Sequence, residues 1–417
     1  MRIDVLTIFP RFFDSFLNES LLAKAIGKNI LSITVHDIRA HTENKHRKVD
    51  DAPFGGGAGM VMAAQPLADA IESLKKESPA RVILLSPRGK PFTQEKARAL
   101  AKEGRLILVC GRYEGVDERV TRNWVDEELS VGDYILNGGE VASMAVMEAV
   151  FRLLPGAVGC DGSLENESFE RGLLEYPQYT RPEEFRGLRV PDVLLSGHHE
   201  NIEKWRHEEA VRKTESMRPD LLEKKAAGMP KPAFSVALVH HPVAAKDGKE
   251  MTSSITTLDV HDIARMGRTF GAQRAYIVTP VVDQQLLAER MIRHWKEDDV
   301  LKRLDNRRSD AVEILTISAT VDEMVADARK RGKKVKLLAT TATRMTGALS
   351  PAAWRMLARE GEEWIILFGT AYGLGKSLLE RADGVLAPIE GGGEFNHLPV
   401  RGASAIILDR LFGILRS

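Results

Sequence analysis

Residues 130–140 read Ser130-Val131-Gly132-Asp133-Tyr134-Ile135-Leu136-Asn137-Gly138-Gly139-Glu140, a glycine-punctuated turn at the end of a short apolar run. Two such turns precede it, Leu85-Ser86-Pro87-Arg88-Gly89 and Cys110-Gly111-Arg112-Tyr113-Glu114-Gly115. Short apolar runs that alternate with helical patterns argue for a parallel sheet flanked by helices. Loops gathered at one end of such a sheet can wall a pocket for a flat, polar cofactor. No Gly-x-Gly-x-x-Gly opens a helix here, which excludes a Rossmann dinucleotide site.

The periodicity predicts strands over residues 1–9, 81–85 and 105–110, and helices over 12–25, 66–76, 94–102 and 140–154. Pro155-Gly156 stops the last helix. Residues 156–172 hold few apolar side chains and read as a flexible loop. Helical patterns over 198–214 and 218–227 form a small basic module. Gly228-Met229-Pro230-Lys231-Pro232 then reads as a linker. A second α/β unit follows, with strands over 234–240, 274–278, 311–317, 335–339, 364–368 and 384–387 and a last helix over 399–415. It carries turns of its own at 338–341, 368–373 and 388–393, a coarse echo of the first half. The predicted boundaries are 1–160 for the first domain, 161–174 for the loop, 175–228 for the helical module, 229–232 for the linker and 233–417 for the second domain.

A length of 417 residues fits two to three domains. The chain carries 59 Lys plus Arg against 59 Asp plus Glu, so a nucleic-acid surface must be a local patch. Two cysteines, Cys110 and Cys160, make no disulfide framework, and no Cys/His cluster suggests a metal. The N-terminus lacks a signal-peptide pattern and no apolar run reaches membrane-spanning length, so a cytoplasmic protein is expected.

The three turns, in this order, resemble those of the TrmD family, tRNA (guanine-N(1))-methyltransferases of the SPOUT class. The resemblance covers residues 1–228. It extends to His46-Arg47-Lys48-Val49-Asp50-Asp51-Ala52-Pro53-Phe54-Gly55-Gly56-Gly57, Tyr179-Thr180-Arg181-Pro182, Pro191-Asp192-Val193-Leu194-Leu195-Ser196-Gly197 and Trp205-Arg206. It implies two trefoil-knotted, parallel-sheet domains with a small helical tRNA-binding module between them. It also implies a homodimer with the cofactor lying between protomers, tRNA as partner, and neither membrane nor DNA.

The family moves a methyl group from S-adenosylmethionine to ring nitrogen 1 of guanosine 37 in tRNA. That nitrogen carries a proton, so transfer needs a base and a group that stabilises charge on the ring oxygen. The family base opens an Asp-Ser-Phe motif; here Glu167-Ser168-Phe169 aligns with it, which keeps the basicity and adds one methylene of reach. Asp161, Glu165 and Glu170 are fallback carboxylates. Arg152 aligns with the arginine that contacts the base oxygen. The cofactor set is Leu85, Ser86, Pro87, Gly111, Tyr113, Glu114, Gly115, Val131, Gly132, Asp133, Tyr134, Ile135, Leu136, Gly138 and Gly139. Glu114 is also the candidate ligand for the Mg²⁺ that the resemblance brings in. Asp50, Asp51, Gly55, Gly56, Arg181, Trp205 and Arg206 are the substrate-binding candidates. Further candidate phosphate contacts are Lys45, Arg47, Lys48, Arg186, Arg189, Lys204, Arg212 and Lys213.

Residues 234–417 resemble a second bacterial SPOUT-type RNA methyltransferase domain, through Leu258-Asp259-Val260-His261-Asp262-Ile263-Ala264-Arg265 and Phe395-Asn396-His397-Leu398-Pro399-Val400-Arg401. Its site candidates are Arg265, Thr340, Gly369, Ile389, Asn396 and Leu398. Arg265 and Phe270-Gly271 fit the pattern of ribose 2′-O-methyltransferases. Asp259 replaces their asparagine and Ala371 their frequent glutamate. Ribose is the leading acceptor, a base the alternative, and an accessory role without catalysis the rival for this half or for the whole chain.

Overall fold

The computed structural model describes residues 1–158, 166–297, 310–393 and 396–413. It divides into two compact units, Met1–Arg171 and Gly172–Ser417.

In the first unit β1 (Arg2–Thr7), β2 (Ser32–Asp37), β3 (Arg81–Pro91), β4 (Arg105–Cys110) and β5 (Glu127–Ser130) form one sheet in the order β2-β1-β4-β3-β5. Every pair is parallel. β4 is buried along its whole length, as a parallel strand covered on both faces must be. Alternate residues feed opposite layers. Ile3, Val5, Leu106 and Leu108 pack with Val146, Val150 and Phe151 of α4 (Gly139–Phe151). Leu6, Ile107 and Val109 pack with Leu67, Ile71 and Leu74 of α2 (Ala64–Glu77). α1 (Ser20–Gly27) and α3 (Gln94–Leu100) complete the layers.

Several predicted elements shift. The helix expected over 12–25 is split into Pro10–Phe13, Asp14–Asn18 and α1. The Asn18 amide donates to the Asp14 carbonyl at 2.7 Å and Ser20 takes a positive φ of 63°, so local bonding ends the helix. β2 and β5 escaped sequence reading. β2 is a half-exposed edge strand, and β5 opens on two glutamates, of which Glu127 accepts from Arg81 at 3.0 Å and from Lys96. The turn at 85–89 does not end β3. It is a bulge inside it, since both Leu85 and Lys90 pair with Leu129.

In the second unit a short antiparallel ribbon (Glu184–Phe185 with Leu188–Arg189) and a helical turn (Asp192–Leu195) precede α5 (His199–Met217) and α6 (Pro219–Ala227). Its sheet contains β6 (Ala233–Val239), β7 (Ala275–Val278), β8 (Leu315–Ser318), β9 (Lys334–Ala339), β10 (Glu362–Gly369) and β11 (Gly384–Val385). The order is β8-β7-β6-β10-β9-β11, all parallel. Helices of the described residues around it include α7 (Thr257–Phe270), α8 (Val282–Glu297), α9 (Val321–Arg329), α10 (Pro351–Leu357), α11 (Lys376–Arg381) and α12 (Val400–Phe412). The strand expected over 311–317 starts only at Leu315, because residues 310–312 are helical. Leu173, Val211 and Leu222 pack on Ala353 and Met356 of α10. The predicted linker is held as well, since Arg355 donates to the Met229 carbonyl at 2.7 Å.

Strand for strand, β6-β10-β9-β11 repeats β1-β4-β3-β5. Each unit buries a carboxylate at the N-terminal end of its sheet. In the first, Asp4 is 0% exposed and accepts from Arg105 at 2.8 Å, Arg2 at 2.9 Å and His36 at 2.9 Å. In the second, Glu363 is 0% exposed and accepts from Ser235 at 2.7 Å and Arg331 at 2.9 Å. These bonds satisfy charges that burial would otherwise make costly.

Candidate active site

The three turns of the first unit lie at the bulge inside β3 and at the C-terminal ends of β4 and β5, at the end of the sheet where open parallel sheets place their ligands. Close backbone approach explains two of their glycines. A Cβ at Gly89 would come within 2.5 Å of the Glu128 backbone, and one at Gly139 within 2.8 Å of the Cys110 Cα. The turns enclose a cleft lined by Leu85, Ser86 and Pro87, by Gly111, Tyr113, Glu114 and Gly115, and by Val131, Gly132, Tyr134, Ile135, Leu136, Gly138 and Gly139. Asp133 is exposed and is not part of the lining. Leu84, Val116 and Leu129 add an apolar floor. Apolar walls with a backbone-polar rim suit a nucleoside such as the adenosine of S-adenosylmethionine. Cys110, beneath the cleft, is fully buried, and burial pushes its thiol pKa up.

Sequence reasoning missed what ties these loops together. Glu140, 1% exposed, accepts from Thr7 Oγ1 at 2.7 Å and from Arg112 Nε at 2.9 Å. The Arg112 guanidinium lies 4.6 Å from the Phe9 ring centre and 5.7 Å from that of Phe12. One buried ion pair thus joins the end of β1, the second turn and the start of α4. The signal was present: Glu140 directly follows the Gly138-Gly139 pair and opens a largely apolar helix. Glu140→Gln is expected to weaken S-adenosylmethionine binding about 10–100-fold by leaving Arg112 without its charged partner, as read by calorimetry.

Arg152 forms the C-cap of α4. Its Nη1 and Nη2 donate to Glu167 Oε2 and Oε1 at 2.6 and 2.7 Å, a two-pronged pair. This guanidinium holds the Glu167 carboxyl below the usual carboxylate range, and Glu167 raises the Arg152 pKa in return. Glu170 is committed elsewhere, accepting from Gln94 at 2.8 Å and pairing with Arg98. Asp161 and Glu165 lie outside the described residues. Neither Arg152 nor Glu167 lines the cleft.

Asp50 and Asp51 pair with Met62 and Val61 in a two-stranded hairpin. Its tip holds Gly55 and Gly56 at positive φ beside a fully exposed Phe54. The hairpin is stitched to the second turn by Met62 N–H to the Gly115 carbonyl and Glu114 N–H to the Met60 carbonyl, both 2.9 Å. Among the described residues no group of three or more His, Cys, Asp or Glu gathers, and Glu114 lines the cleft.

In the second unit Arg181, Trp205 and Arg206 line one cavity together with Tyr176 and Tyr179. Arg186, Arg189, Lys204, Arg212 and Lys213 are exposed on the same unit, and Lys45, Arg47 and Lys48 on the first. The second unit's own turns follow β9, β10 and β11. Thr340 Oγ1 donates to the Leu367 carbonyl at 2.8 Å. A Cβ at Gly369 would fall 2.4 Å from Leu374 N. Ile389 packs on the core, Asn396 is half-buried, and Leu398 is exposed. Glu394 and Phe395 lie outside the described residues.

A buried tie recurs here too. His240, 0% exposed, meets Ser253 Oγ through Nδ1 at 3.0 Å, and Ser253 bonds Thr370, whose hydroxyl donates to the Val239 carbonyl at 3.1 Å. Burial lowers the His240 pKa, which keeps the ring neutral. Asp259 has a structural reason for replacing asparagine: it caps α7 by accepting from Thr256 N while Thr256 Oγ1 accepts from its own N–H, both at 3.3 Å. Arg265 is exposed and shares a shallow groove with Asp262, Phe270 and Arg401.

A family model described as tRNA (Guanine-1)-methyltransferase TrmD matches residues 1–224. A second, described as SAM-dependent RNA methyltransferase, matches residues 233–413. The tRNA (guanine-N(1)-)-methyltransferase of Oleidesulfovibrio alaskensis is 43% identical over 427 residues, with 99% of both chains covered. The protein of that name from Nitratidesulfovibrio vulgaris is 40% identical over 429 residues, again covering 99% of both. That of Heliobacterium modesticaldum is 55% identical over 228 residues, 53% of this chain and 84% of the relative.

Proposed function

This chain belongs to the TrmD family of tRNA (guanine-1)-methyltransferases, and from that premise we propose that its first unit methylates ring nitrogen 1 of guanosine 37 in tRNA. The observation that carries the mechanism is the Arg152–Glu167 pair at 2.6 and 2.7 Å. S-adenosylmethionine, when bound, supplies a methyl group on a positively charged sulfur. The three turns hold its nucleoside part, and the Arg112–Glu140 pair keeps them in register.

Glu167 takes the proton from guanine N1, and Arg152 donates to the ring oxygen where charge develops. Before RNA arrives, Arg152 holds Glu167 as a weak base. A guanine oxygen that draws Arg152 away removes that restraint, so the carboxylate gains proton affinity as its substrate enters. Asp50 and Asp51 accept from guanine edges, and the glycine tip allows close approach of RNA. Because Arg152 and Glu167 do not line the cleft, a homodimer in which one protomer's turns face the partner's Arg152 and Glu167 is part of the reading. A knotted chain path and a cytoplasmic setting belong to it as well. Among the described residues, no helix is long and apolar enough to cross a membrane.

The second unit is read as a further S-adenosylmethionine-dependent RNA methyltransferase, with ribose as the leading acceptor and Arg265 beside the attacking hydroxyl. Loss of a 2′-O-methyl nucleoside in Arg265→Ala would support this. Label in a base, or in no nucleoside of tRNA or ribosomal RNA, would overturn it.

Calorimetry on the full chain is expected to give two S-adenosylmethionine molecules per chain. Gly132→Val removes one, because its Cβ meets the Tyr134 ring at 2.4 Å, and Gly369→Val removes the other. A single wild-type site, abolished by the Gly132 change alone, would exclude cofactor binding by the second unit. The function itself is tested by transfer of labelled methyl to unmodified tRNA whose guanosine 37 follows another guanosine. Replacing guanosine 37 should abolish labelling by the first unit.

A further inference from the structure

The helical module is built onto the second unit's sheet through α10, which is held from two sides. Its Trp354, 0% exposed, lies in the core beside the sheet, edge-on to Trp364 with ring centres 5.5 Å apart. Its Ala353 and Met356 pack instead with Leu173 and with Ala210, Val211 and Leu222 of the module. Polar bonds close the joint. The Ser350 N–H donates to Glu215 at 2.7 Å, and His207 Nε2 meets the Met356 carbonyl at 3.1 Å. Arg355 donates to the Met229 carbonyl at 2.7 Å and to the Leu411 carbonyl of α12 at 3.0 Å. Modules that swing on a tether meet their neighbours through polar, solvated contacts, whereas this joint has an apolar centre. It also adjoins the second unit's turns. Leu349, directly before Ser350, donates to the Val385 carbonyl at 2.9 Å and accepts from the Ala387 N–H at 2.8 Å, and the third turn starts at Pro388.

We propose that the module docks RNA for the second unit as well as for the first, so that the second unit's substrate is tRNA. Arg186, Arg189, Arg212 and Lys213 are exposed on the module and suit the phosphate chain of RNA. Phosphate contacts of this kind fix the placement of an RNA without reading its sequence. RNA held there sits at a set distance and angle from the second unit's turns, because α10 packs into both the module and the core beside the sheet. A substrate placed before it reacts is what speeds a transfer between two bound molecules. One docking surface fastened to the second unit favours one RNA class for both reactions. The transfer balances as in the first unit. The acceptor atom bonds the methyl carbon, the carbon–sulfur bond breaks with its electron pair on sulfur, and the acceptor's proton passes to solvent.

Shared docking rests on the reading of this chain as a tRNA methyltransferase with a second RNA-methylating unit, and the test separates their failures. The full chain receives labelled S-adenosylmethionine and unmodified tRNA with adenosine in place of guanosine 37, so the first unit has no acceptor. Label is expected in a nucleoside of this tRNA. Arg186→Ala, Arg189→Ala, Arg212→Ala and Lys213→Ala combined are expected to raise both the tRNA dissociation constant and the KM of this transfer about 10-fold or more. Two S-adenosylmethionine molecules should still bind. Met356→Glu puts a charge into the joint, and its transfer is expected to fall about 10-fold or more, while N(1)-methylguanosine formation on tRNA with guanosine 37 stays near wild type. If Met356→Glu fails to fold, the alanine variant, changed only at exposed positions, decides alone. A KM or a dissociation constant that the alanine variant leaves unmoved overturns the shared surface, as does full transfer by a folded Met356→Glu. Label in ribosomal RNA but not in tRNA overturns the substrate class. No label in either RNA, with N(1)-methylguanosine still made on tRNA with guanosine 37, refutes the reading of the second unit. Loss of both activities in the wild type refutes the reading of the whole chain.

Discussion

Glu167→Gln is expected to lower single-turnover methyl transfer to tRNA by about 10²–10⁴-fold while leaving cofactor binding near wild type. The amide keeps the shape and can still meet Arg152, but it cannot take a proton. Glu167→Asp separates base from bystander. Aspartate keeps the carboxylate and withdraws it by one methylene, which loosens the two-pronged contact with Arg152 at 2.6 and 2.7 Å. Activity is retained in that variant and rises if the longer side chain is over-restrained. Unchanged chemistry in Glu167→Gln would move the base elsewhere. Glu170, 5% exposed and engaged with Arg98 and Gln94, is a poor successor.

The second large effect concerns stability. Asp4→Ala removes the carboxylate on which Arg105, Arg2 and His36 converge, leaving the Arg105 guanidinium, 5% exposed, with only the longer contact to Glu77 at 3.3 Å as a charged partner. Breaking a buried pair in this way costs about 3–5 kcal/mol, read as a fall in the denaturant midpoint of the first unit's transition. The same site shapes acid sensitivity. Burial alone would raise the Asp4 pKa, but hydrogen bonds from His36, Arg2 and Arg105 outweigh it and lower the value from 3.8 to about 2. A folded pKa below the unfolded one stabilises the protein in full above pH 3.8, and this contribution is lost as pH falls towards 2. Asp4→Asn should therefore flatten the stability curve between those two pH values. An unaltered acid limb in that variant would place the sensitivity in other carboxylates.

The alternation of apolar runs and helical patterns led directly to two parallel-sheet units. The glycines of the three turns led to a cleft whose lining includes all the proposed cofactor contacts except Asp133. In the first unit the edge strands were the blind spot. β2 is half exposed, and β5 carries glutamates whose cost is offset by Arg81 and Lys96 from neighbouring elements, a compensation no local window contains. The loop ties were hidden for the same reason. Thr7 and Glu140 stand 133 positions apart and Val239 and Thr370 stand 131 apart, and only the parallel crossings bring their strand ends together. The bulge at 85–89 read as a strand end because a proline and a glycine mark a turn equally well in either role.

The most direct test is nucleoside mass spectrometry of tRNA incubated with the full chain and S-adenosylmethionine, in parallel with Glu167→Gln. The expected result is N(1)-methylguanosine at position 37 with the wild type and its loss with Glu167→Gln, while any methylated nucleoside made by the second unit persists. Ribose-methylated nucleosides alone, or equal N(1)-methylguanosine from both proteins, would contradict the assignment of the first unit and its base.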